Sequence, residues 1–204
     1  MEEKNKKSTY HHGNLRKELI HAGLQIINEE GIDHLSLRKA AAMCGVSHGA
    51  PASHFKNKDE FVEAIRNQVT EEFASVMQRV VDDNQDRNQL IFEFGVAYIR
   101  FFKENSEYLV FVLKQKDIEI RVSEREVYDS NYAPFQIFKE HASEVMLEQG
   151  LPKEEIPGAI LALWGMVYGL SALTVMEGFH FEGDWMKMTE SMLARKKSIA
   201  RTLV

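Results

Sequence analysis

The stretch SLRKAAAMCGVSHGAPASHF, residues 36–55, has the local grammar of two short helices joined by a tight turn. Ser36 is a good N-cap, and Leu37, Ala40, Ala41 and Cys44 recur at three- and four-residue steps, the mark of a short helix with one apolar face. Gly45 is expected to end it, because glycine adopts at little cost the left-handed conformation that follows a helix. Val46 is the expected buried residue of the turn. Ser47 is the expected cap of a second helix from His48 to Phe55, with Ala52 and Phe55 reaching back to the core. Ala40 and Ala41 let two helices cross closely at a steep angle, as a helix-turn-helix requires. The second helix, with small polar side chains, has the shape to enter a DNA major groove.

The rest of the chain bounds this reading. Its 204 residues suffice for one large or two small domains. No run of about eighteen apolar residues free of breaks or charges is apparent, and the N-terminus is charged rather than signal-like, so neither a membrane partner nor export is expected. Cys44 is the single cysteine, which excludes an internal disulfide and fits a reducing cytoplasm. The net charge of −6 argues against a nucleic-acid partner until it is divided along the chain. Residues 1–58 hold nine Lys and Arg against six Asp and Glu, whereas the remaining 146 hold sixteen against twenty-five. Six of the eight histidines also lie in the first 58 residues. A mildly basic head on an acidic body suits a phosphate-facing domain joined to something else.

Helical periodicity runs through the whole chain, and the expected fold class is all-α. Leu15, Leu19, Ala22, Ile26 and Ile27 share one face of a helix predicted over 14–30, which Gly31 closes. Asn57-Lys58-Asp59-Glu60 reads as a cap with an acid at its third position, opening a helix to Val81 with Phe61, Ile65, Val69, Phe73, Val76 and Val80 on one stripe. Further helices are predicted over 89–104, 107–115, 124–149, 156–177 and 185–203, the last capped by Asp184. The expected division is residues 1–57, an arm and helix-turn-helix, and 58–204, a linking helix and a second helical domain.

Residues 10–65 resemble the TetR family of transcriptional regulators. The family pattern is carried by Ser36, Leu37, Arg38, Ala40-Ala41, Gly45-Val46-Ser47, Gly49, His54-Phe55 and Lys58-Asp59. Tyr10 to Arg16 (YHHGNLR) and Pro51 look like one subgroup, whose C-terminal domain carries a Trp one turn before His-Gly-Leu. Residues 164–170, WGMVYGL, approximate that signature with Tyr168 at the His position. The resemblance implies a homodimer that binds double-stranded DNA through its helix-turn-helix and answers to a small effector held among the C-terminal helices. No cofactor is expected. Family members usually carry Tyr where this chain has Ala52, and that phenol contacts a backbone phosphate, so this contact is missing here.

Ser36 and Ser47 cap helices on any reading, and a capping hydroxyl beside free amides also suits a phosphate oxygen. His48, Ala50 and Ser53 are the candidates for base edges, with Ala50 suited to a thymine methyl. None is a bidentate reader, so DNA shape carries much of the specificity on this reading. His54 and Lys58 are assigned to phosphates, and Arg38 joins the DNA-facing set; Lys58 opposes the helix dipole, which gives it a functional reason to be there. Lys6, Lys7, His11 and His12 form a basic arm, more often merely disordered than DNA-bound.

In the C-terminal part, most aromatics are expected to be core. A pocket needs polar handles, and Tyr98, His141, Trp164 and Tyr168 supply them, with Phe102 and Phe138 as apolar walls; a cavity of drug-like size is expected. The segment 160–176 is apolar around nearly its whole circumference and must be covered on more than one side. Leu163, Val167 and Thr174 from it, with Trp185, Met188, Met192 and Ile199 from the last helix, are the expected dimer contacts of a two-fold four-helix bundle. Two rivals come from other classes. Glu18/His21 and Glu177/His180 have the spacing of a di-iron bundle enzyme, and the missing phenol at Ala52 leaves room for a protein-interaction adaptor. A redox role for Cys44 is disfavoured by its place on the packed side of the turn.

Overall fold

The computed structural model describes residues 14–113 and 118–199. The arm residues Lys6, Lys7, His11 and His12 lie outside this range, as does the side chain of Ile199. The described residues are helical with no strand, and contacts divide the chain between Ile65 and Arg66 into two compact units.

The first unit holds α1 (Leu15–Glu30), α2 (Leu37–Met43) and the opening turns of α3 (Lys58–Asp83). Leu19, Ile26 and Ile27 of α1 are fully buried, and Gly31 closes the helix at φ 87°. At Gly23 a methyl would collide with Ile65 Cδ1 and lie 2.9 Å from Phe61 Cζ, so the side chains of α3 fill the space a side chain on α1 would need. Ser36 Oγ accepts the Lys39 amide at 3.2 Å, capping α2. At the other end Val46 N–H donates to Ala41 and Gly45 N–H to Ala42, with Gly45 at φ 68°, which is the paired closure expected of a left-handed cap. Asn57 Oδ1 accepts from Glu60 N at 2.9 Å and opens α3, while the Glu60 carboxylate reaches back to the Lys56 amide at 2.8 Å.

The second unit is organised around α4 (Arg87–Glu104), which packs on α5 (Ser106–Leu113), α6 (Ala133–Glu148), α7 (Ile156–Thr174) and α8 (Trp185–Ile199). Phe73, from the part of α3 in this unit, sits among Tyr98, Phe101 and Phe102 of α4, with ring centroids 4.9–5.1 Å apart. Burying such rings is the main stabilising term, about 1.5–3 kcal/mol each. Gly95 lets α8 approach α4, since an added methyl would meet Leu193 at 2.9 Å.

Three expectations change. The helix predicted over 124–149 begins only at Ala133, with Pro134 near its start. Before it, Val122 and Val127 pair across a turn in which Ser123 Oγ accepts the amides of Arg125 and Glu126, and Ser130 Oγ donates to the Glu119 carbonyl. Hydroxyl and amide side chains here satisfy the backbone locally, which competes with helix. Second, Ala52 is exposed and Val46 half-buried; Pro51 and Phe55 are what the turn buries. Third, the segment Lys153–Thr174, with mean hydropathy 1.7 over its most apolar window, is long and apolar enough by length and composition to cross a membrane, and a third of that window is buried. Its charges, Lys153, Glu154 and Glu155, gather in a 3₁₀ turn at one end, and the 156–176 run that follows carries none, its apolar pattern broken only by Pro157 and by small or hydroxyl residues.

Candidate functional site

After Gly45 the chain makes a single 3₁₀ turn, Ala50–Ser53, in place of the expected helix from His48 to Phe55. Pro51 is the cause. It lacks the amide a helix would use, and it disfavours helical geometry at Ala50. The remaining groups pair one step shorter: Ala50 N–H donates to the Ser47 carbonyl at 3.0 Å and Ala52 N–H to Gly49 at 3.2 Å. Ser47 therefore contributes its carbonyl rather than a capping hydroxyl, and the residue preceding the turn is Gly49. Ser53 Oγ donates to the Ala50 carbonyl at 2.8 Å, which leaves its lone pairs facing solvent. Phe55, 2% exposed, anchors the turn against Phe61 at 5.0 Å, and the Arg16 guanidinium lies 5.1 Å from the Phe55 ring centre.

Above this anchor Arg38, Ser47, His48, Ser53 and Lys58 are exposed, while Ser36, Ala50 and His54 are half-buried. Residues 34–58 contain Arg38, Lys39, Lys56 and Lys58 and no Asp or Glu. Lys39 is drawn to Glu30, whose carboxylate it holds below the ordinary range by hydrogen bonding. Arg38, Lys56 and Lys58 are the cations this stretch presents, with Asp33, Asp59 and Glu60 at its two edges. Burial raises the Cys44 thiol above its usual range, with Glu18 adding to the effect, so the thiol stays protonated.

In the second unit a cavity of about 20 Å³ lies against α4. Ile91, Phe94, Gly95 and Tyr98 of α4 and Leu163, Trp164 and Val167 of α7 form its walls, with Met77, Phe138 and Leu193. It holds about one water, not the few hundred Å³ of the drug-sized site expected from the sequence. Tyr98, Phe138 and Trp164 meet there as expected. Phe102 stands behind them on Phe73, His141 lies 3.8 Å from Glu144, and Tyr168 is 37% exposed. Trp164 is the centre of the cluster. Its ring lies 5.2 Å from Tyr98, 5.0 Å from Phe135, 5.5 Å from Phe138 and 6.4 Å from Tyr132. Sequence reasoning misses Tyr132 and Phe135, because the misplaced helix start conceals their role at the head of α6. Burial, then the nearby phenols of Tyr132 and Tyr168, pushes Tyr98 well above the ordinary tyrosine range, and burial alone does the same to Tyr132.

Of the expected dimer residues, Leu163 and Val167 face inward onto the cavity. Thr174 Oγ1 donates to the Ser171 carbonyl at 2.6 Å, and Trp185 stacks edge-on with Phe179 and Phe181. The apolar side chains left open are Leu161 and Tyr168 of α7 and Met176 just past its end, at 57%, 37% and 60% exposure, and Met188 and Met192 of α8. Among the described residues no three His, Cys, Asp or Glu side chains converge as metal ligands. Glu177 and His180 flank Gly178, whose φ of 82° takes the chain out of helical register.

Residues 19–65 match the sequence model of the bacterial regulatory proteins of the tetR family. Over 71 residues the chain is 32% identical to the nicotine-responsive HTH-type transcriptional repressor HdnoR of Paenarthrobacter nicotinovorans; the match covers 35% of this chain and spans 37% of that relative's length. Among solved structures, a protein of unknown function from Rhodococcus sp. RHA1 superposes with a TM-score of 0.68 at 18% identity, over 92% of this chain and 96% of that one. A TetR variant from Acinetobacter baumannii AYE, solved in complex with minocycline, superposes with a TM-score of 0.57 at 19% identity, over 89% and 95%. The chain thus shares the all-helical fold of these solved structures, and its residues 19–65 are similar to the bacterial regulatory proteins of the tetR family.

Proposed function

We propose that the protein is a homodimeric, cytoplasmic transcriptional repressor that binds an inverted-repeat operator and is released by a small apolar or aromatic effector. The observation that carries this reading is the surface of residues 34–58: cationic, free of acids, built from small exposed side chains, and set on a family-matched helix-turn-helix. On it, Ser36, Arg38, Ser47, His54 and Lys58 take phosphates, while His48, Ala50 and Ser53 face base edges. Residues 1–57 do this work, and residues 58–204 bind ligand and partner. The exposed apolar side chains of Leu161, Tyr168, Met176, Met188 and Met192 support self-association, since side chains this apolar are costly to leave in water. Control by an effector is supported by the aromatic cluster around Trp164 and by the nicotine-responsive repressor among the relatives. The effector acts by population shift: it binds one spacing of the two heads better than the other, and α3, continuous from Lys58 to Asp83, carries the change.

The test is binding to the DNA upstream of the protein's own coding sequence at about 50 and 200 mM salt. Tight binding to an inverted repeat that weakens steeply with salt is the expected result. Weak, sequence-indifferent binding sinks the reading, and the adaptor alternative, which the exposed Ala52 favours by offering no phosphate donor, then takes its place.

A further inference from the structure

The cavity beside Trp164 is too small for any effector, yet the ring cluster around it is organised as a binding site is. Trp164 meets Tyr98, Tyr132 and Phe135 at interplanar angles of 83–88° and Phe138 at 38°, so aromatic walls from two helices and the segment before α6 surround one indole. The walls are buried, whereas Trp164 itself is half-buried. It occupies the shoulder of α7, between the buried line of Ile160, Val167 and Ser171 and the exposed line of Leu161, Gly165 and Tyr168. Beside it, Gly165 has open space where a side chain would be. An indole so placed has an outward path that the rings enclosing it lack.

We propose that Trp164 is a built-in occupant of the effector site, and that the effector is a neutral, fused-ring planar aromatic with one hydrogen-bond acceptor, which binds by taking the indole's place. This rests on the effector-controlled reading above. A fused bicyclic ring has the size and flatness of the group it displaces and inherits the same edge-to-face contacts. No wall of the cavity is ionised, and an unpaired charge buried there would be costly, so the ligand is neutral. The phenols of Tyr98 and Tyr132 are buried around the indole and stay protonated, so each keeps a hydrogen that an acceptor on the ligand would take. Trp164, turned out, arrives beside Leu161 and Tyr168, the face proposed to meet the partner subunit.

The experiment uses the full chain labelled with 5-fluorotryptophan, which gives two fluorine resonances, for Trp164 and Trp185; Trp185→Phe assigns them. Chromone, a fused bicyclic ring with one carbonyl, is the probe, and naphthalene is its counterpart without the acceptor. Saturating chromone is expected to move the Trp164 resonance and give it the solvent isotope shift of an exposed ring, with Trp185 unchanged. Chromone is expected to bind at least about tenfold more tightly than naphthalene, the loss expected when a buried donor is left without its acceptor, and Tyr98→Phe is expected to erase most of that ratio. Failure of chromone to bind up to its solubility overturns the proposal. So does binding that leaves Trp164 shielded from solvent, or a ratio that Tyr98→Phe does not change. Operator binding on the same samples separates the two ideas. Displacement of Trp164 without DNA affinity removes the regulator and leaves the displaced indole, and salt-sensitive DNA binding with a motionless Trp164 does the reverse.

Discussion

Gly23 and Tyr98 show how much one residue can hold. At Gly23 the Phe61 ring stands 2.9 Å from where a methyl would sit, and a ring in a packed core has little freedom to yield. Gly23→Ala should destabilise the first unit by about 1–3 kcal/mol, read as a lower thermal midpoint, even though alanine is the better helix former. Tyr98 sets an alkaline limit. Its unfolded phenol ionises near 10.0, and burial raises the folded value, so the unfolded chain gives up this proton first as pH rises. The stability it confers is intact below about pH 10 and is lost progressively above it. Tyr98→Phe should therefore flatten the fall in stability between about pH 10 and 11, measured by urea unfolding across that range. Neither effect is visible in the sequence: Gly23 reads there as one more small residue, and periodicity cannot report how close the facing helix comes.

At the scale of the element, what can be read in the sequence is whatever is decided within a few residues. Ser36, Gly45, Asn57 and Glu60 act through bonds three to five residues long, and the structure shows each where the sequence places it. Ser36→Ala should cost about 1 kcal/mol in denaturant unfolding, the usual loss for an N-cap hydroxyl. The turn of Ala50–Ser53 departs from expectation because the helical pattern counts for less than Pro51, one residue whose missing amide outweighs the pattern around it. The late start of α6 has a similar origin: Ser123 and Ser130 bond to backbone within their own loop, and apolar spacing does not register those bonds. On α7 periodicity fails for another reason. A helix apolar on every side gives no signal for which side faces in, so the sequence assigns Leu163 and Val167 outward although they line the cavity.

For the whole molecule, the open apolar side chains of α7 and α8 predict assembly. Leu161→Glu puts a charge on this apolar surface and should shift the protein toward monomer in sedimentation at micromolar concentration, and it should weaken operator binding by removing the second head. The all-helical plan is legible from periodicity, which runs through the whole chain, whereas the charges distinguish a basic head from an acidic body. The cavity is not, because its volume depends on how ten residues from five helices fit together. One contact described above ties the two sites of the second unit together. Leu193 lies on Gly95 and walls the cavity, while Met192, its neighbour in sequence, is 40% exposed on the outer face of the same helix. On the proposed reading, ligand and partner bear on adjacent faces of one helix, and whatever change the ligand makes in dimer affinity the dimer returns in ligand affinity by the same factor. The midpoint of an effector titration should accordingly drift as the protein is diluted through its monomer–dimer range, so that the cell's copy number of this chain itself sets the dose of effector it answers to.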